Sequence, residues 1–400
     1  MKNIIIIGGG TGGTMCANAL LKRINPKTRK DWQITVIDKS EYHAFQPDYL
    51  HVAFNGMKPN KLFKKERSLL FAKIKFLHDT VTKVDLKSQT VATEISGILP
   101  YDYIVIAPGS MPNYDMIPGL RESNLDFHTS PQDAEKIYET LKTSIGGRFV
   151  VGVAGVPYKC PPSPNESAFL LHDFLKKRKM LDNSSIIFVT PYPKFYTAPA
   201  ISEITEKVAK AKNIEIITSF NLDHVDVQGK KLISMEGNEI KFDYLFMVPP
   251  HKAPDFIKGE EFTDKDGWIK VDKTSLKIEG YENAFAIGDV TNAPTAKSGM
   301  TAHLEAEVVT STIADQINNM SDKEYMFTGR THCPFEVGDQ KAVFVIGTYD
   351  RPAISVNPSF ENYMLKKIMG KIYWSTLKGS FTDIFKIYFG EDYMKVVKKQ

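Results

Sequence analysis

Residues 2–13 read Lys2-Asn3-Ile4-Ile5-Ile6-Ile7-Gly8-Gly9-Gly10-Thr11-Gly12-Gly13. They predict a strand, a tight turn and the start of a helix, in that order. Four consecutive isoleucines form the short apolar run expected of a strand buried on both faces of a parallel sheet. Gly8, Gly10 and Gly13 match the G-x-G-x-x-G pattern of a dinucleotide loop. Gly8 permits the turn, Gly10 lets a pyrophosphate approach the backbone, and Gly13 lets helix and strand close together. The amides of the helix N-terminus then face the phosphates. The helix is expected to reach Lys22. A second strand, residues 33–37, leads into Asp38-Lys39, with Asp38 placed to accept from a ribose hydroxyl. Cys16 lies on the packing side of the helix and reads as structural.

The same grammar fails at the next such place. Gly152-Val153-Ala154-Gly155-Val156-Pro157 puts a proline where the last glycine belongs, and the following strand, residues 185–189, ends in Thr190-Pro191 with no acidic residue for a ribose. Both halves of a nicotinamide site are therefore missing. The loop instead carries Cys160, Pro161, Pro162, Pro164 and Glu166. Prolines fix φ and remove amide donors, which predicts a stiff, extended loop. Such a loop at a helix N-terminus is expected to lower the pKa of the Cys160 thiol; the plain alternative is a proline-rich connector with an inert, buried cysteine. The alternation continues through a helix (165–179), a helix (201–212), a strand (214–217) and a β-meander (223–247), which implies a second parallel sheet. The fold class expected is α/β, with two Rossmann-like dinucleotide-binding domains, 1–114 with 246–325 and 115–245, and a C-terminal amphipathic-helix region, 326–400.

The chain of 400 residues carries a net charge of +4, too small to imply a nucleic-acid partner. Residues 360–400 hold eight Lys against four Asp and Glu, so the excess lies at the C-terminus. Three cysteines without a CxxC exclude a disulfide scaffold and a zinc cluster, and no metal is expected. The N-terminal apolar run is a strand and not an export signal, and no apolar run reaches transmembrane length.

Three more segments complete the picture. Residues 103–110 read Y-I-V-I-A-P-G-S, a buried strand closed by a turn through Ala107 and Gly109. Residues 281–290 read Y-E-N-A-F-A-I-G-D-V, ending at Asp289, and K-S-G-M-T-A opens a helix at Lys297. With C-P-P-S-P-N-E after the degenerate loop, the segment from Phe45-Gln46-Pro47 to Gly56, and a distal Cys333 in T-H-C-P-F-E-V, the chain resembles the sulfide:quinone oxidoreductase family and its cousin, the flavin subunit of flavocytochrome c sulfide dehydrogenase. The resemblance implies FAD held by Gly8, Gly10, Gly13, Asp38, Lys39, Ala107, Gly109, Asp289 and Lys297, with Asp79-Thr80-Val81 against the adenine. It implies that Cys160 and Cys333 face the flavin as a redox pair. Sulfide attacks their bridge, sulfur stays on one cysteine, the other passes two electrons to FAD, and Glu166 accepts the proton. Many members tether FAD through a third cysteine near Phe127. Here His128 stands in that place, so non-covalent FAD is expected, and His128 is either a packing residue or part of a sulfide channel.

The tail carries two helical patterns. Leu365, Ile368, Met369, Ile372 and Tyr373 form one apolar face; Phe381, Ile384, Phe385 and Tyr388 form another. Lys366, Lys367, Lys371, Lys378 and Lys386 flank them. This is the pattern of a monotopic anchor with lysines at anionic head groups, with Tyr373, Trp374, Phe381 and Phe385 as walls for a membrane quinone; packing on the protein's own core is the alternative. The expected partners are sulfide, quinone, the cell-membrane surface and a possible second copy of the chain. The competing functions are a sulfide dehydrogenase subunit with a cytochrome acceptor, a type II NADH:quinone oxidoreductase, and a flavin-bound redox sensor or sulfur carrier.

Overall fold

The computed structural model describes residues 1–320, 322–379 and 392–398. Its first sheet is parallel throughout, in the order Ala284–Ala286, Tyr103–Ile106, Lys2–Ile7, Trp32–Asp38, Lys75–His78. Ile4 and Ile6 face one core and Ile5 and Ile7 the other, so the four-isoleucine run is buried on both sides. Each such side chain contributes on the order of 2 kcal/mol of burial. Helix α1 (Thr11–Arg23) packs into the first of these cores through Met15, Cys16, Ala17 and Leu20. A Cβ on Gly13 would lie 1.9 Å from the Gly8 carbonyl oxygen, which is why only glycine lets α1 cross the strand there. Cys16 is fully buried, and burial raises its thiol pKa, as befits a packing residue.

The second sheet is also parallel, in the order Ile214–Ile217, Ser184–Val189, Gly147–Val153, Tyr244–Val248. The strand Tyr244–Val248 corrects the sequence reading, which ran it into a meander. Only Leu222–Asp226, Lys231–Ser234 and Glu239–Lys241 pair antiparallel. Leu245, Phe246, Met247 and Val248 are all buried, a continuous run that suits a sheet interior and not an alternating edge. Helix α2 (Ser163–Lys177) covers this sheet and starts ten residues after the Gly147–Val153 strand ends. The intervening loop removes the short turn that would aim helix amides at a pyrophosphate.

Helix α3 (Gly299–Ile317) returns along α1 beneath the first sheet. The C-terminal part divides its packing. Lys323–Phe327 pairs with Met394–Lys398, with Phe327 in the first core. Thr331–Gly338, Lys341–Thr348 and Arg351–Ile354 form an antiparallel sheet whose Phe335, Val337, Val343 and Val345 join the core around α2. Helix α4 (Phe360–Thr376) lies across that sheet. No helix among the described residues is long and apolar enough to cross a membrane. The second tail pattern, with Phe381 and Phe385, lies outside the described residues.

Candidate active site

The first loop has the shape its glycines predict, with distinct roles for each. Gly8 has φ +99°, and a Cβ there would meet the Ala107 carbonyl oxygen at 2.4 Å. Gly8 and Gly13 are thus required by the protein's own backbone. Gly10 is different, because a Cβ there meets no heavy atom within 4 Å. It faces open space at the N-terminus of α1, where helical amides have no carbonyl of their own. That is the cradle a dinucleotide phosphate fits. Asp38 Oδ2 accepts from the Gly9 amide at 2.6 Å and Oδ1 from the Ser40 amide at 2.7 Å. Its first task is to shape the loop. Lys39 has an exposed side chain, and its carbonyl lies 3.0 Å from His78 Nε2. Val81 is buried at the head of a strand, behind Asp79, whose carboxylate accepts from Thr80, Ile95 and Ser96 amides. Gly109 has φ +75° and open space beside it, and Ser110 Oγ donates to Asp289 Oδ2 at 3.2 Å.

Lys297 is partly buried just before α3. Its ammonium donates to the Asp289 and Thr291 carbonyls at 2.7 and 2.8 Å and sits 3.7 Å from the centre of the Trp268 ring. Burial lowers its pKa to about 8. It holds the Gly288–Thr291 turn in place. The adjoining Gly288 amide donates to Glu305 Oε2 at 2.6 Å, while Glu305 Oε1 is buried without a partner. Burial pushes the Glu305 pKa up to about 8 from 4.5. The folded protein therefore keeps a proton that the unfolded chain has already lost, so this contribution is full below about pH 4.5 and is lost as pH rises to about 8. In flavin-free protein, Glu305→Gln should remove a decline on the order of 5 kcal/mol across that window, as read by urea unfolding at a series of pH values. An unchanged pH profile would show that Glu305 is already ionised.

Cys160 and Cys333 reach this place from different sheets. The Cys160 amide donates to the Lys297 carbonyl at 2.6 Å, and Cys333 Sγ lies 3.7 Å from Ser298 Oγ. The two cysteines are thus anchored on consecutive residues at the head of α3. Both are free thiols, and Cys160 has φ +54°, a left-handed conformation that is strained for a residue with a side chain. Its carbonyl accepts from the Ser163 amide and hydroxyl, both at 2.9 Å, which hold the turn. The expectation of a lowered thiol pKa is overturned. Burial pushes Cys160 up to about 12, and the nearby Cys333 and Glu166 add to the rise. Burial raises Cys333 as well. A helix end supplies about 1 kcal/mol, which loses to desolvation of this size.

Glu166 is buried in the first turn of α2. It forms an ion pair with Lys366 of α4 and accepts from the Glu336 amide at 3.2 Å. Glu336 in turn takes His51 Nε2 at 3.1 Å and Lys367 at 3.2 Å. Burial raises the Glu166 pKa even with Lys366 beside it. For Glu336 burial also acts upward, but Lys366, His51 and Lys367 together hold it well below the carboxylate range. Lys366, which is largely buried, and the half-buried Lys367 thus have carboxylate partners within the protein instead of standing free for head groups. Sequence reasoning missed Glu336 and His51. The only signal was a carboxylate inside a strand whose flanking residues are all apolar.

His128 Nε2 bonds Ser163 Oγ at 2.6 Å, and the His251 amide donates to the Pro157 carbonyl at 2.6 Å. The two buried rings stand 5.5 Å apart against the Cys160 loop. Burial keeps both neutral. Beyond the loop, Lys159 Nζ donates to Gln46 at 2.9 Å. Tyr373 and Trp374 of α4 pack on Phe45, with ring centres 4.5 and 6.2 Å away. Their face of α4 is turned inward. The apolar stripe left exposed is a different one, Phe360, Met364 and Ile368, at 51, 42 and 47 %. Among the described residues no group of His, Cys, Asp and Glu is placed to hold a metal.

The family described as pyridine nucleotide-disulphide oxidoreductase matches residues 2–307. Among curated proteins, the mitochondrial sulfide:quinone oxidoreductase of Dictyostelium discoideum is 26 % identical over 95 % of this chain and 86 % of its own length. The mouse mitochondrial sulfide:quinone oxidoreductase is 22 % identical over 94 % of this chain and 86 % of its own. Among solved structures, the sulfide:quinone oxidoreductase of Aquifex aeolicus superposes with a TM-score of 0.86, at 21 % identity, over all of this chain and 98 % of that one.

Proposed function

The chain belongs to the pyridine nucleotide-disulphide oxidoreductase family, and from that premise we propose that it is a membrane-bound sulfide:quinone oxidoreductase. The observation that carries the reading is the anchoring of Cys160 and Cys333 on Lys297 and Ser298, beside the turn of Asp289. The broken second loop, with α2 starting far from its strand, speaks against NADH as the electron donor.

Hydrosulfide attacking Cys160 in a Cys160–Cys333 bridge forms one S–S bond and breaks another. Cys160 keeps the incoming sulfur as a persulfide, and Cys333 leaves as a thiolate with the electron pair. FAD bound at the loop of Gly8, Gly10 and Gly13 would supply the two-electron acceptor for that pair and the link to quinone. Burial makes the Cys333 thiolate a costly resting state, which favours handing the pair on. Ser298 Oγ–H is placed to donate to it meanwhile. Glu166, with its raised proton affinity, takes the persulfide proton, and Lys366 holds the carboxylate in place. Anaerobic addition of sulfide should bleach the bound flavin, and decylubiquinone should restore it; bleaching by NADH in place of sulfide would overturn the proposal.

The outward stripe of α4, continued by Ile354 and Val356, is the surface we assign to the membrane. Deleting α4 is a poor test, because it would strand Glu166 and Glu336 in the core without their lysines. Ile368→Glu leaves that cluster intact. It should weaken sedimentation with phosphatidylglycerol vesicles by at least about tenfold, since burying one such side chain is worth about 2 kcal/mol, with flavin content unchanged. Undiminished vesicle binding would place the lipid contact elsewhere.

A further inference from the structure

One buried network serves neither the thiols nor the exposed stripe. The Tyr373 hydroxyl of α4 lies 2.7 Å from Thr11 Oγ1, the first residue of α1, and 2.6 Å from His43 Nε2. His43 Nδ1 lies 3.1 Å from Glu66 Oε2, and Glu66 Oε1 accepts from Thr14 Oγ1 at 2.7 Å. His43, Glu66 and Thr14 are buried. The chain of bonds therefore starts and ends on the first turn of α1. It encloses the dinucleotide loop from beneath, where Glu66 packs under Gly9. Farther along α1, Asn18 Nδ2 donates to the Leu377 carbonyl at 2.8 Å, and Lys22 Nζ to that of Lys378 at 2.6 Å. The last turn of α4 and the two residues that follow it are thus bound by the helix that begins at the cofactor loop.

We propose that Tyr373, His43 and Glu66 are positioning residues that couple the filling of the dinucleotide loop to the seating of α4. A phosphate on the free amides at the start of α1 fixes the backbone of Thr11, and with it the hydroxyl that Tyr373 requires. Without that phosphate Thr11 lacks this restraint, and the bond between its hydroxyl and Tyr373 is the weaker for it. Ordering of the loop and ordering of α4 share one entropic cost, so each lowers the cost of the other. By linkage, the factor by which cofactor stabilises seated α4 equals the factor by which seated α4 tightens cofactor binding. The coupling deepens the functional reading. The stripe of Phe360, Met364 and Ile368 is presented only when α4 is seated, so a flavin-free chain would present a weaker membrane face.

The test uses neither sulfide nor quinone, so it stands or fails apart from the proposed activity. Amide exchange of residues 360–376 is compared in FAD-loaded and stripped protein. Stripping should speed exchange across α4 about tenfold or more in the wild type. Tyr373→Phe, which removes one oxygen and keeps the ring, should shrink that FAD-dependent difference at least threefold and weaken FAD binding by a matching factor. Glu66→Gln should act in the same direction through His43. A purely structural role would speed exchange equally in loaded and stripped protein, leaving the difference intact; that outcome, or α4 protection that ignores FAD in the wild type, overturns the proposal.

Discussion

Cys160→Ala and Cys333→Ala should each keep bound FAD and lose sulfide-dependent quinone reduction by a thousandfold or more, as happens when one member of a catalytic unit is removed. Neither residue belongs to the first loop, Cys160 is held through a backbone amide that alanine keeps, and Cys333→Ala gives up only the weak Sγ contact to Ser298, so the cofactor cradle survives both changes. Cys160→Ala removes the sulfur that takes the incoming atom. Cys333→Ala removes the leaving thiolate, so any sulfide-induced long-wavelength absorbance should vanish with it. Cys16→Ala, in the sealed core beneath the first sheet, should leave turnover near wild type. Stopped-flow reduction by sulfide distinguishes these. Near-normal turnover in Cys160→Ala would remove the main reason for reading the chain as a sulfide oxidase.

Gly10→Val should yield soluble, folded, flavin-free protein. An added Cβ at Gly10 meets no heavy atom within 4 Å, and the backbone there is extended, so the fold should tolerate the change. The side chain occupies the volume of the pyrophosphate, and the expected loss of FAD affinity is at least a thousandfold. Absorbance of the purified variant near 450 nm checks this. Full flavin content would contradict the assignment of the loop. Acid precipitation of the wild type should leave its flavin in the supernatant, because no cysteine stands at the His128 position and we propose non-covalent binding; flavin in the pellet would mean attachment through another residue.

Much of the fold was legible because backbone requirements write themselves into sequence. Gly8 and Gly13 are demanded by contacts under 3 Å, and no other residue satisfies them. The isoleucine run and A-F-A-I-G-D announce buried parallel strands in the same way. Tyr244–Val248 was misread because an apolar run of five does not say which sheet will receive it. At the site, the pairing of Cys160 with Cys333 came from resemblance alone, since no spacing in the sequence predicts it. The thiol pKa was misjudged because a proline-rich loop beside a helix end says nothing about how deeply tertiary packing will bury it. The cluster of Glu166, Glu336, His51, Lys366 and Lys367 draws on four segments of the chain. Apart from Glu166, singled out by its place after Cys160, each residue alone reads as a solvated charge, and the two lysines are expected at a membrane on that ground.

The first sheet takes its outermost strand, Ala284–Ala286, from far down the chain, next to Tyr103–Ile106. The second sheet, by contrast, lies within one continuous stretch, from Gly147 to Val248. During synthesis every strand of the inner sheet is therefore made while the outer sheet still lacks an edge and the helix α3 that covers it, and the core around α2 still awaits Phe335, Val337, Val343 and Val345. The nascent protein passes through a stage in which the Lys2–Ile7 strand and its glycine loop are made but not enclosed, with apolar surface waiting for residues not yet translated. A pause in elongation before Ala284–Ala286 and α3 are made would lengthen that exposed stage.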